Sequence, residues 1–107
     1  MKYEVVLTST ARRQAKDAVQ WWARYRSKQQ AERWYDQLFR TLSQLQTDPE
    51  RFPLARESAD FPFELREMTH GLRASKTHRI LFGIDNKTVT VFAIRYVAQD
   101  DVSFDDL

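Results

Sequence analysis

The stretch THRILFGIDNKTVTVFAIRY, Thr77 to Tyr96, holds two runs of strand-forming residues on either side of the polar Asp85-Asn86-Lys87-Thr88. Apolar and β-branched residues bounded by such a turn read as a β-hairpin. A two-residue turn at Asn86-Lys87 pairs Asp85 with Thr88 and fixes the register of everything behind it. In that register Ile80, Phe82, Ile84, Val89, Val91 and Ala93 share one apolar face, which needs a helical layer over it. The other face carries Arg79, Leu81, Gly83, Thr88, Thr90, Phe92, Ile94 and Tyr96. It is apolar in the middle, with an arginine and a phenol toward one end. His78 and Arg95 oppose each other at the rim of the first face.

Working outward, Tyr3–Leu7 alternates as a strand with Tyr3, Val5 and Leu7 on one side. Thr8, Ser9 and Thr10 are hydroxyl candidates for a helix N-cap. Behind them Ala11, Ala15, Ala18, Val19, Trp22 and Tyr25 recur at helical spacing, while Arg12, Arg13, Lys16 and Arg24 fall mostly outside that stripe. Ser27 and Gln30 fit a capping box that opens a second helix. Its stripe runs through Ala31, Trp34, Tyr35, Leu38, Phe39, Leu42 and Leu45. So short a connection folds the two helices into an antiparallel pair. Asp48–Pro62, with three prolines, reads as irregular. Phe63–Met68 reads as a strand with Phe63, Leu65 and Glu67 on the core face, and Thr69–Lys76 as a polar turn. An acidic tail ends the chain. The order β-α-α-β-β-β predicts an α+β fold, with a helical hairpin on one face of a mostly antiparallel sheet.

At 107 residues, with 42% apolar and 13% aromatic side chains, one packed domain over 1–107 is expected. No apolar run approaches the roughly 18 residues of a membrane span. MKYEVVLTST turns polar too soon for a signal peptide. The chain has no Cys, which excludes disulfides and fits a reducing cytoplasm. Two His set apart in surface-like positions form no ligand cluster, so no metal is expected, and without a glycine-rich phosphate loop no nucleotide cofactor either. Of 17 basic residues 12 are Arg, whose forked guanidinium suits phosphate or carboxylate partners. The competing reading is a solvated basic surface.

With Phe63, Leu65 and Glu67 turned to the core, Arg66 points to the same open face as Arg79. Arg66, Arg79 and Tyr96 are therefore expected to converge there beside Leu81, Phe92 and Ile94. Exposed apolar strips next to arginines mark binding surfaces. The competing reading has Arg79 and Arg95 snorkel from the sheet edge and pair with Glu64, Glu67 or tail aspartates.

Taken together, the element order, ELRE, HRILFGID and the terminal VTVFAIRYVAQDD resemble the RelE/ParE superfamily of bacterial type II toxins over nearly the whole chain. The resemblance implies a growth-inhibiting toxin neutralised by a cognate antitoxin, the two forming a hetero-oligomer in which the antitoxin covers the toxin's active surface, here Leu81, Phe92, Ile94 and Arg95. RelE-like members cleave mRNA on the ribosome. That chemistry needs the 2′-hydroxyl deprotonated, phosphate charge stabilised and the leaving oxygen protonated. The resemblance implies Arg79 as the phosphate-holding group, with Arg66 assisting and Tyr96 as the remaining acid–base candidate. An ordinary phenol titrates near 10 and needs help in that role. After Arg95-Tyr96 come Val97 and Ala98 where nuclease members tend to carry acid–base residues, and the tail is acidic. ParE-like members poison DNA gyrase instead, and their longer helical hairpin and Arg-x-x-x-Gln/Arg-Asp ending fit better. The expectation is a gyrase-binding toxin, with a ribosome-dependent mRNA endoribonuclease as the alternative.

Overall fold

The computed structural model describes residues 2–71, 76–99 and 101–107. Strand β1 (Glu4–Leu7) leads directly into helices α1 (Ser9–Tyr25) and α2 (Lys28–Ser43), followed by strands β2 (Arg66–His70), β3 (His78–Asp85) and β4 (Thr88–Tyr96). Each helix starts where a hydroxyl satisfies an otherwise orphaned backbone donor. The Thr8 side chain accepts from the Ala11 amide at 3.1 Å, and that of Ser27 from the Gln30 amide at 3.0 Å. The sheet order is β1-β4-β3-β2, with β1 parallel to β4 and the other pairs antiparallel. This is the α+β arrangement expected from the element order.

The helices cover one sheet face. Trp34, Leu38 and Leu42 of α2 and Ala11 and Ala15 of α1 are buried against Met68, Ile80, Phe82, Val89, Val91 and Ile94, with Tyr3, Val5 and Leu7 packed alongside. The apolar stripes are narrower than the spacing suggested. Tyr25, Tyr35 and Phe39 are exposed, and Tyr35 meets Phe39 edge-to-face at 4.8 Å.

Asp85 does pair with Thr88, and Asn86 takes a left-handed φ of 55°, which Asn tolerates better than most residues. Beyond Leu81 the simple register fails. Leu81 pairs with Ala93 but Phe82 with Val91, so Phe92 is a bulged extra residue. A bulge reverses the facing of all that follows it. Ile94 therefore lies under the helices rather than on the far face, Ala93 takes the far face, His78 opposes Tyr96, and Arg79 opposes Arg95.

The far face is not open. Ala55, Phe61 and Leu65 from the 54–65 segment and Val102 from the tail bury Leu81 and Ala93, with Phe63, Phe92 and Leu107 packed around them. Phe63 stacks on Phe92 with centroids 5.0 Å apart, directly over Gly83. A Cβ on Gly83 would come within 3.2 Å of Phe92 and 3.3 Å of Phe63, so any side chain there would force the two rings to give by a few tenths of an ångström, and glycine suits this close approach. The segment expected to be irregular folds as short 3₁₀ turns at Pro49–Arg51 and Ser58–Asp60 with a bridge from Leu54 to Arg66. Phe63 and Leu65 face this second cluster rather than the helices, and β2 starts later than expected. The turn expected over Thr69–Lys76 lies partly outside the described residues, at 72–75.

Candidate functional site

Arg79 lies on the far face near the start of β3, with only 3% of its side chain exposed. Its guanidinium makes four hydrogen bonds to two carboxylates. Nη1 and Nη2 donate to the two oxygens of Glu57 at 2.9 and 2.7 Å, and Nε and Nη2 both donate to Glu67 Oε1 at 2.9 and 2.6 Å. Glu57 also accepts the Val102 amide at 3.1 Å, which clips the tail to the same group. The Arg79 hydrogen bonds outweigh desolvation and hold the Glu57 carboxyl down to about 2. Those to Glu57, the largest cause, push the guanidinium further up from its already basic range. Two carboxylates around one guanidinium leave a net charge of −1. Such a site presents no free fork to a phosphate. The ion-pairing reading with Glu67 was one of the two drawn from the sequence. Glu57 lay outside both, because a residue 22 positions away in an irregular segment carries no local signal of pairing.

The expected convergence of Arg66, Arg79 and Tyr96 does not occur. Arg66 pairs across β3 with Phe82, on the helix side, and spends Nη1 on the carbonyls of Phe52 at 2.7 Å and Glu50 at 3.1 Å. Its remaining partner is Glu64 at 3.4 Å. Tyr96, 51% exposed, was carried by the bulge to the face opposite Arg79. The apolar strip is not a surface either. Leu81 is 0% exposed and Ile94 3%, and Phe92 is half-buried beneath Phe63. Arg95 is half-buried on the tail side. Nearby Asp106 is kept below the usual carboxylate range, first by hydrogen bonds from Ser103 and less by the field of Arg95.

Both histidines, expected at separate surface positions, are cross-strand neighbours on β2 and β3. His70 is buried and His78 half-buried. Their rings meet the edge or face of Trp34 at 5.0 and 5.1 Å, and His78 lies 5.9 Å from the ring of Tyr96. The Thr41 hydroxyl stands 3.1 Å from His70 Nδ1 and the Thr77 hydroxyl 2.8 Å from His78 Nδ1. Burial pushes both imidazoles down, His78 to about 4, so both are neutral at neutral pH. The pair stays hidden in the sequence because a core face through Phe63, Leu65 and Glu67 turns the Arg66, Met68 and His70 side of the second strand away from the helices, whereas Met68 and His70 pack on the helix side. Among the described residues, no group of three or more His, Cys, Asp or Glu could hold a metal ion, and no helix is long and apolar enough to cross a membrane.

A family model described as the ParE toxin of type II toxin-antitoxin system, parDE, matches residues 5–101. The chain belongs to the ParE toxin family. Among solved structures, the chromosomal ParDE toxin-antitoxin system from P. aeruginosa aligns with a TM-score of 0.72 at 15% identity, over 89% of this chain and 96% of that one. The toxin-antitoxin complex RelBE2 from Mycobacterium tuberculosis aligns with a TM-score of 0.52 at 24% identity, over 92% of this chain and 95% of that one. At these identities the likeness is one of fold: two helices on a four-stranded mixed sheet. A search of curated proteins finds no match. This ParE-family chain is thus a toxin of the type II toxin-antitoxin class, with its conspicuous arginine closed inside the fold.

Proposed function

We propose that this toxin, acting as a single cytoplasmic domain, inhibits growth by binding and poisoning DNA gyrase and is silenced by a cognate antitoxin in a hetero-oligomer. The observation that carries the reading is the saturation of Arg79 by Glu57 and Glu67. An RNA-cleaving site on this fold would need that arginine free for the scissile phosphate, with an acid and a base on the same side. Here the groups proposed for those roles are divided between two sheet faces. A toxin that works by occupying a surface of a large target needs no such constellation. For the antitoxin, the exposed Tyr35–Phe39 pair on α2 supplies an apolar contact that the buried Leu81 and Ile94 do not.

The deciding experiment adds purified toxin to gyrase and relaxed plasmid, and separately to a translation reaction read by primer extension. Inhibited supercoiling or trapped cleaved DNA is expected, with unchanged transcript ends, and Tyr96→Phe should behave as wild type. New 5′ ends within translated mRNA that vanish in Tyr96→Phe would establish the ribonuclease reading instead.

A further inference from the structure

Charge is strongly segregated in this molecule. Ser9–Ser43, the two helices and their turn, carries eight Lys and Arg against three Asp and Glu, a net +5 in a chain whose total is +2. All eight cations are exposed. Among the described residues, the side-chain ion pairs use Arg56, Arg66 and Arg79 and none of these eight.

The outermost line of α1 concentrates this charge. Its buried side is set by Ala11, Ala15, Ala18 and Trp22. Directly opposite, at i, i+3, i+7 and i+11, stand Arg13, Lys16, Gln20 and Arg24, all exposed. Such residues form a nearly straight row on a rigid rod, about 16 Å long at 1.5 Å per residue. Asp17 borders the row on one side together with Trp21 and Tyr25. Among the described residues, no ion pair reaches Arg13, Lys16 or Arg24.

The geometry points to the α1 row as a docking surface for the sugar-phosphate backbone of duplex DNA, through Arg13, Lys16 and Arg24 with Gln20 as a neutral donor between them. Charge complementarity selects a polyanion, and a straight, inflexible row suits a regular phosphate array. The neighbouring aromatics argue for a duplex over a single strand. Single strands are held by bases stacked on free ring faces, but Trp21, though 47% exposed, has Arg26 over its ring at 5.5 Å and also meets the rings of Trp22 and Tyr25. Phosphate contacts of this kind carry no base sequence information. The row is on α1 and the Tyr35–Phe39 pair on α2, and the inference does not depend on which target the toxin poisons.

The test uses the whole toxin alone, without gyrase, and a fluorescein-labelled random-sequence duplex of about 20 base pairs read by anisotropy. Binding in the micromolar range near 50 mM salt is expected, weakening with a log–log salt slope of about −2.7 for three phosphate contacts. Arg13→Glu/Lys16→Glu/Arg24→Glu should lose at least tenfold in affinity with unchanged thermal unfolding. The same charge change at Lys2, Arg51 and Lys87 should lose under threefold. Equal losses in both triple variants would overturn the proposal, as would tighter binding of the matching single strand. No duplex binding below about 100 µM, whether or not a polyglutamate peptide binds the row, would also overturn it. Because gyrase is absent, failure here leaves the supercoiling result standing, and the reverse.

Discussion

Replacing Glu57 by Gln removes one charge from the Arg79 clasp while keeping its shape. Glu57 is 2% exposed, and its carboxyl falls from 4.5 to about 2 on folding. At 1.36 kcal/mol per pH unit that depression corresponds to ~3 kcal/mol. The value agrees with the 3–5 kcal/mol typical of breaking a buried pair from one side, roughly. Against a total stability on the order of 5–15 kcal/mol, the variant should be conspicuously weaker. The pH dependence has a definite sign. A depressed acid stabilises fully above its unfolded value and loses that contribution as pH falls through the folded one. The difference between wild type and Glu57→Gln should be largest above about pH 5 and shrink to under half by about pH 3. Urea unfolding followed by tryptophan fluorescence measures it directly. A loss under about 1 kcal/mol at neutral pH, or a difference constant down to pH 3, would refute the assignment of Glu57 as the principal partner of Arg79. Arg79→Ala should fare worse, since it strands two carboxylates, and any loss of toxicity in it should track loss of fold.

Three further outcomes are expected. Because folded His78 is held near 4 against 6.5 in the unfolded chain, the unfolded state binds more protons between these values. The melting temperature should therefore fall as pH drops from about 6.5 to 4, and His78→Gln should flatten that slope in a differential scanning fluorimetry series. Ile94→Ala should cost about 2–4 kcal/mol in chemical denaturation, as a buried site does. A near-neutral result would mean that the bulge is absent and Ile94 faces outward. Removing residues 102–107 takes Val102 and Phe104 off the far face, so the truncated protein should bind the dye ANS and become more protease-sensitive. Unchanged dye binding would show that the 54–65 segment closes that face by itself.

Much of this fold could be read from local chemistry. Thr8 and Ser27 announce the helices through hydroxyls placed before apolar stripes, and Asn86 marks the hairpin turn. What stayed hidden was tertiary. The bulge at Phe92 has no glycine or proline to flag it, so counting by twos placed Ile94 and Tyr96 on the wrong side. The far face looked open because Phe61 and Val102, which help cover it, come from stretches without periodicity, and because Leu65 reads as facing the helices. The arginine clasp was half legible. Glu67 is twelve positions from Arg79 and on the adjacent strand, whereas Glu57 becomes a neighbour only when the irregular segment folds back.

The parallel pairing of β1 with β4 has a kinetic implication. Glu4 meets Thr88, so among the described residues the first strand finds its sheet neighbour 84 positions downstream. On a chain emerging from the ribosome, both helices and the β2–β3 ladder can condense while Val5, Val6 and Leu7 still wait without a mate. Distant contacts of this sort are slow to close. Refolding should be paced by the capture of this short leading segment, and an aggregation-prone stretch stays bare until the last major strand has been made.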